Sequence, residues 1–160
     1  MPEVIVSGRV VATDEGRALV PASLDPGSRA DCAITLMGAD LPPAACNASA
    51  RGELVDQRLA VSEWWLDSDP HPANVPLHHL PGADPAFVDQ ALDTLPVEDS
   101  NMVSVGASRV IDGKTKAQVQ VVRATTELAS WLAAQEPGSV YVYPFIRDAE
   151  TPSVWVAGRS

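Results

Sequence analysis

The amino-terminal half of the chain is characterised by residues 51–66, which read RGELVDQRLAVSEWWL. Apolar and polar residues alternate on both sides of the polar pair Asp56-Gln57. This is the pattern of two short strands that are joined by a tight turn. We therefore predict a β-hairpin here, with Trp64 and Trp65 pointing to opposite faces of its second strand.

Further strand patterns precede this hairpin. Val4, Val6, Val10 and Ala12 form a roughly alternating pattern, the polar turn 14–16 follows, and a short apolar strand is predicted over residues 31–37. Four or five short strands with turns at this spacing are typical of a small barrel or a strongly bent sheet. Residues 1–66 are therefore predicted to form a β-rich first domain.

Two segments of this half resemble an OB-fold. They are the opening strand at 6–11, VSGRVV, and the Gly-x-Leu…Leu-x-Val hairpin at 51–61. The resemblance implies a small five-stranded barrel, and it leaves the activity open because OB-folds carry many functions.

Residues 67–83 form a connector rich in Pro, His and Asp, and residues 84–160 read as a second half. Asp84 is the predicted N-cap of a first helix, and Thr125 or Thr126 that of a second. Each helix is followed by a predicted hairpin. The sequence thus predicts an α+β class, in which a helix–hairpin–helix–hairpin half lies on a mainly antiparallel sheet. Two separate domains and one fused domain are both compatible with this pattern.

The first of these hairpins turns at Asp112-Gly113, a dipeptide that favours tight turns. If these two residues alone form the turn, Gly106 and Ser108 share a face with Ala117 and Val119. The opposite face, with Lys116, is then predicted to be solvated.

Charge and composition exclude several functions. Eleven basic and 21 acidic residues give a net charge of −10, which opposes binding to nucleic acid or to an anionic membrane. The opening residues carry no signal-peptide pattern, so a cytoplasmic location is predicted, and the residue bias is typical of a GC-rich bacterial genome. Cys32 and Cys46 are read as reduced thiols in that compartment, with a cross-strand disulfide as the alternative.

Catalytic signatures are absent from the sequence. It contains no Gly-x-Ser-x-Gly, no Ser-x-x-Lys and no phosphate-binding glycine loop, so neither an enzyme nor a cofactor is predicted. His71, His78 and His79 lie close together in the connector and could bind a divalent metal, although none has the spacing of a helical metal motif. A metal-dependent enzyme that uses these histidines is the third functional hypothesis.

Aromatic residues supply the other candidate binding sites. An outward Trp64 or Trp65 near Arg51 and Arg58 could stack on a base of a single-stranded oligonucleotide, which is the second hypothesis. The aromatic residues of the terminal hairpin could share one face, either as core or as an exposed recognition patch; they are Tyr141, Tyr143 and Trp155.

The leading hypothesis is a small, acidic, non-catalytic protein that binds another protein or associates with itself. It depends on the acidity, on the lack of catalytic motifs, and on strands near the carboxyl terminus that have the character of sheet edges.

Overall fold

The computed structural model describes residues 3–21, 32–66 and 81–158. Strands make up 50% of these residues and helices 18%, and the described part contains two α-helices. The prediction of an α+β class with a helix–hairpin–helix–hairpin half is therefore wrong, because the fold is mostly strand. Both helices are short, and the predicted terminal hairpin consists of one long strand with a partner strand of only two residues.

The chain divides into two compact units. Unit 1 comprises Met1–Asn74 and Phe145–Thr151, and unit 2 comprises Val75–Pro144 and Pro152–Ser160. Most of the predicted connector, residues 67–80, lies outside the described residues.

Unit 1 is built on five strands, which follow one another as β1 (Val4–Thr13), β2 (Gly16–Val20), β3 (Ile34–Met37), β4 (Asn47–Val55) and β5 (Arg58–Leu66). The pairs β1–β2, β2–β3, β4–β5 and β1–β4 are antiparallel, and β3–β5 is parallel. These pairings form a partly closed ring of five strands, which is compatible with the predicted barrel. The predicted hairpin turn at Asp56-Gln57 is confirmed, and both residues have the positive φ of a tight hairpin turn, 48° and 63°.

Alternating apolar residues on the strands of unit 1 form its core. They are almost fully buried, at 0–2% exposure, and include Val6, Val10, Leu19, Leu36 and Leu59. A β-bulge between Arg51 and Gly52 shifts the β4–β5 register and bends the pair.

The cysteines lie apart in the strand order. A disulfide between them was expected only if β3 and β4 formed a hairpin, but β3 pairs with β2 and β5 instead. Neither Cys32 nor Cys46 forms a disulfide, as the first of the two interpretations expected.

The described part of unit 2 contains two α-helices and the strands around them. The helices are α1 (Pro85–Asp93) and α2 (Thr126–Ala133), and the strands are β6 (Met102–Arg109), β7 (Thr115–Arg123), β8 (Val140–Asp148) and β9 (Trp155–Val156); β8 continues into unit 1 after Pro144. Both predicted N-caps are confirmed. Asp84 accepts a hydrogen bond from the Ala86 amide at 3.0 Å, and Thr125 accepts one from the Leu128 amide at 3.1 Å.

Helix α1 and α2 cover one face of the strands of unit 2. The core on this face is apolar, and its buried members include Val88, Ala91, Ala117, Val119, Leu128, Leu132 and Val142. None of the helices in the described ranges is long and apolar enough to cross a membrane.

The predicted register of the β6–β7 hairpin is wrong by one residue. Arg109 pairs with Thr115, and the Val110 amide donates to the Lys114 carbonyl at 2.8 Å, so the loop contains three residues, Ile111–Gly113, and not two. Because side chains alternate along a strand, a shift of one residue exchanges the two faces. Ala107 therefore shares the core face with Ala117, and Lys116, predicted to be solvated, is 7% exposed.

Candidate functional site

The outer edge of β6 is the candidate site. This strand is the last in the order of the sheet, and within the described residues it pairs with β7 alone. An edge strand offers a row of backbone N–H and C=O groups to any chain that can pair with it.

The hydrogen bonds of β7 identify which backbone groups of β6 point outward. Thr115 exchanges two bonds of 2.8 Å with Ala83, and the Ala117 amide donates to the Ser139 carbonyl at 2.8 Å. Both residues thus bond on the side of β7 that faces away from β6. In an antiparallel pair, a residue and its partner either bond to each other or both point away. Their partners on β6, Arg109 and Ala107, therefore direct their backbone groups to the free edge.

By the same alternation, Val105, the partner of Val119, also directs its backbone groups to the free edge. We call the residues that do so the outward set. The free edge thus presents the N–H and C=O groups of Val105, Ala107 and Arg109. The residues between them, Gly106 and Ser108, bond to β7.

The side chains along this edge do not block the approach of another strand. Val105 is 50% exposed, Gly106 and Ala107 are exposed, and a Cβ placed on Gly106 would meet no atom within 4 Å. Natural edge strands are usually protected by lysine, proline or a bulge. Here the one irregularity, between Met102 and Ser104, lies at the start of the strand, so the following residues are accessible to another strand.

The aromatic residues of the predicted terminal hairpin do not form one patch. Trp155 lies opposite Val142 and packs against the core beneath the helices. Tyr141 and Tyr143 alternate with Val142 and therefore face the other side of the sheet. Tyr141 is 2% exposed, and its hydroxyl donates to the Pro81 carbonyl at 2.5 Å.

Strand β8 also differs from an edge strand. It lies next to β7 in the sheet, and Tyr141 and Val142 pair with β9. Pro144, which was expected to mark an edge or a bulge, lies between this pairing and the pairing of residues 146–148 with β1. Its missing N–H therefore falls between two partners and interrupts neither.

Burial shifts the pKa values of the two tyrosines and of one arginine. Burial, and to a lesser degree the neighbouring Tyr141, raises the pKa of Tyr143 to about 12. The Tyr143 hydroxyl is buried and has no hydrogen-bond partner. Burial also lowers the pKa of Arg147, whose guanidinium donates to the Thr151 carbonyl.

The two tryptophans predicted as a stacking site have different surroundings. Trp65 is 5% exposed, whereas Trp64 is half-buried and lines an open concavity of about 380 Å³. The same concavity is lined by Asp40 and Glu63, so its charge repels phosphate.

The predicted cationic partners of these tryptophans are engaged with carboxylates. Arg51 lies 3.5 Å from Glu3, and Arg58 lies 3.4 Å from Glu15. Exposed ion pairs of this kind add little stability, but each reduces the positive charge available to a nucleic acid.

The histidines His71, His78 and His79 lie outside the described residues, so the metal hypothesis stays a prediction. Among the residues that the structure describes, no group of three or more His, Cys, Asp or Glu is placed to hold a metal ion.

Comparisons of the chain with protein-family models, with curated proteins and with solved structures find no match. The candidate site therefore depends on the geometry of the strands alone.

Sequence reasoning did not single out β6, although a signal was present. Residues 102–108 contain no charged residue and no proline, although the whole chain is 20% charged and has 14 prolines. A strand of this composition is typical of a protected position in a sheet, or of an edge that pairs with another chain.

Proposed function

We propose that this is a non-catalytic protein that binds an extended segment of another protein chain by strand addition at β6. The observation that carries the proposal is the outward direction of the backbone groups of Val105, Ala107 and Arg109. A partner strand would continue the sheet there, with main-chain hydrogen bonds for affinity and side-chain contacts for specificity.

The side chains at this edge favour a peptide as the binding partner over a nucleic acid. Val105 and Ala107 give the partner a small apolar surface on the same face as the core of unit 2. The only charge in β6 is that of Arg109. A phosphate backbone needs several cations, whereas a polypeptide strand needs free backbone donors and acceptors.

Replacement of Ala107 by proline tests the proposal. Proline removes one outward N–H and none of the bonds to β7, so the fold should persist. Ala107→Thr is the matched control because it keeps the N–H. Peptides selected from a random library on the wild-type protein should bind Ala107→Thr and bind Ala107→Pro about tenfold or more weakly. Peptides that bind all three proteins equally would contradict strand addition at this edge.

We also propose that the ring of unit 1 is an OB-type barrel, as the resemblance of residues 6–11 and 51–61 implies. Support comes from the ring order β1-β2-β3-β5-β4 and from its parallel β3–β5 pair. The two free thiols support a cytoplasmic location, which cell fractionation can test.

A further inference from the structure

We propose that the strand that pairs with β6 is β6 of a second copy of this chain, in antiparallel orientation about a two-fold axis at Ala107. This inference rests on the proposed strand addition and identifies its partner. Three features support it: the spacing of the outward groups, the exposed Val105, and the face of the sheet on which the apolar side chains of the edge lie.

The spacing of the outward residues fits such a dimer. Val105, Ala107 and Arg109 lie at alternate positions, symmetrically about Ala107. A two-fold axis at Ala107 places Val105 of each copy opposite Arg109 of the other, and Ala107 opposite Ala107. Each outward N–H then meets an outward carbonyl, as in an ordinary antiparallel ladder.

The same register covers the exposed apolar side chain. Val105 is 50% exposed in the isolated chain. Opposite it, the hydrocarbon part of the Arg109 side chain of the second copy can lie along the valine while its guanidinium stays in water. Cross-strand pairs that lie directly opposite each other make such contacts on one face of a sheet.

Symmetry selects the antiparallel orientation. Both copies offer the same edge, so an antiparallel pair keeps the core faces of the two sheets on one side, whereas a parallel pair would turn them to opposite sides. The antiparallel dimer therefore brings the apolar side chains of Val105 and Ala107 of both copies onto one face.

Association by this edge alone is expected to be weak. The interface is one strand wide, so its buried area belongs to the small, transient class and not to that of obligate dimers. The overall charge of −10 also repels a second copy. We therefore expect a reversible dimer with a dissociation constant on the order of 10–100 μM, which higher salt does not abolish because screening also weakens the overall repulsion.

Sedimentation equilibrium of the wild-type chain, Ala107→Pro and Ala107→Thr tests the inference. The wild type and Ala107→Thr should dimerise alike, and Ala107→Pro should dimerise about tenfold or more weakly. A wild-type dimer that Ala107→Pro leaves unchanged would overturn the inference, because the copies would then associate through another surface.

Disulfide trapping provides a second test that does not depend on tolerance of proline. In a Cys46→Ser background, Ala107→Cys should cross-link to itself, because paired residues at the axis lie about 5.5 Å apart between Cα atoms. Val105→Cys should not cross-link to itself, but should do so with Arg109→Cys in a mixture. Equal self-linking of Val105→Cys and Ala107→Cys would exclude a two-fold axis at Ala107 and overturn the inference.

A wild-type chain that stays monomeric up to about 1 mM would also overturn the inference. The proposed function is judged separately in that case. It stands if selected peptides distinguish Ala107→Pro from Ala107→Thr, and it fails together with the inference if they do not.

Discussion

Gly8 lies where the end of β2 reaches β1, and its replacement by alanine tests how closely these two strands of the ring pack. A Cβ at Gly8 would overlap the carbonyl oxygen of Val20, at the point where the end of β2 reaches β1. It would also come within 3.0 Å of Cε1 of Phe145, a fully buried side chain. Since the nearest obstacle is backbone, no rotamer change can relieve the overlap.

The expected loss of stability follows from what has to move. Overpacking of a core commonly costs about 1–3 kcal/mol. Moving the end of β2 away from β1 also breaks ladder hydrogen bonds, at about 1 kcal/mol each. We therefore expect Gly8→Ala to lower the free energy of unfolding by about 3–5 kcal/mol, a large share of the roughly 5–15 kcal/mol that stabilises a typical domain.

The assay is urea unfolding followed by far-ultraviolet circular dichroism and by tryptophan fluorescence. Gly106→Ala is the matched control, since it makes the same chemical change in a strand where a Cβ meets nothing within 4 Å. It should be neutral or stabilising by up to about 1 kcal/mol, because alanine restricts the unfolded chain. Our account of the β1–β2 packing is refuted if Gly8→Ala stays within about 0.5 kcal/mol of the wild type.

Four further predictions concern unit 2 and the tryptophan site. Tyr141→Phe should destabilise the protein by about 1–2 kcal/mol because it removes the hydrogen bond to the Pro81 carbonyl, whereas Tyr143→Phe, which removes a buried hydroxyl without a partner, should be neutral or stabilising in the same denaturation assay. Stability should be maintained below pH 10 and fall between pH 10.0 and about 12, because the unfolded chain ionises its tyrosine at the lower pH and the folded chain holds the Tyr143 proton to the higher one; a fall of the same size in Tyr143→Phe would exclude this cause. Ser108→Pro should lower the free energy of unfolding by about 2 kcal/mol more than Ala107→Pro, because the Ser108 amide bonds to β7, and the reverse order would show that the outward set is misassigned. Single-stranded oligonucleotides should leave tryptophan fluorescence unchanged at low salt, since Arg51 and Arg58 are paired with carboxylates; quenching that weakens with salt would revive the oligonucleotide hypothesis.

The parts of the fold that were predicted correctly are those set by local chemistry. The turn at Asp56-Gln57 and the N-caps Asp84 and Thr125 each depend on a few neighbouring residues, and each is found in the structure. The ring of strands was expected only as a barrel or a bent sheet. Its closure depends on the β3–β5 pair, which joins strands far apart in sequence and leaves no local pattern.

The errors arose where a tertiary partner decides the outcome. The two helical patterns led to the α+β prediction. Short amphipathic helices also occur in β-rich proteins, so these patterns do not determine the fold class. The terminal aromatic residues were grouped by their type, but the register of β9 against β8 places Trp155 and Tyr141 on opposite faces. The burial of Lys116 could likewise not be predicted from the sequence, because lysine is usually exposed.

The register of one loop has the largest consequence for function. A two-residue turn at Asp112-Gly113 would have bonded Ala107 to β7 and directed the backbone of Gly106 and Ser108 outward. With three residues in the loop, the outward set is instead Val105, Ala107 and Arg109. The free edge then carries its apolar side chains on the same face as the core beneath the helices, so a strand added to β6 extends that core as well as the ladder. A polar, glycine-containing edge would offer hydrogen bonds alone, and such bonds exchange for water at little net gain. The loop length therefore determines whether this edge can hold a partner.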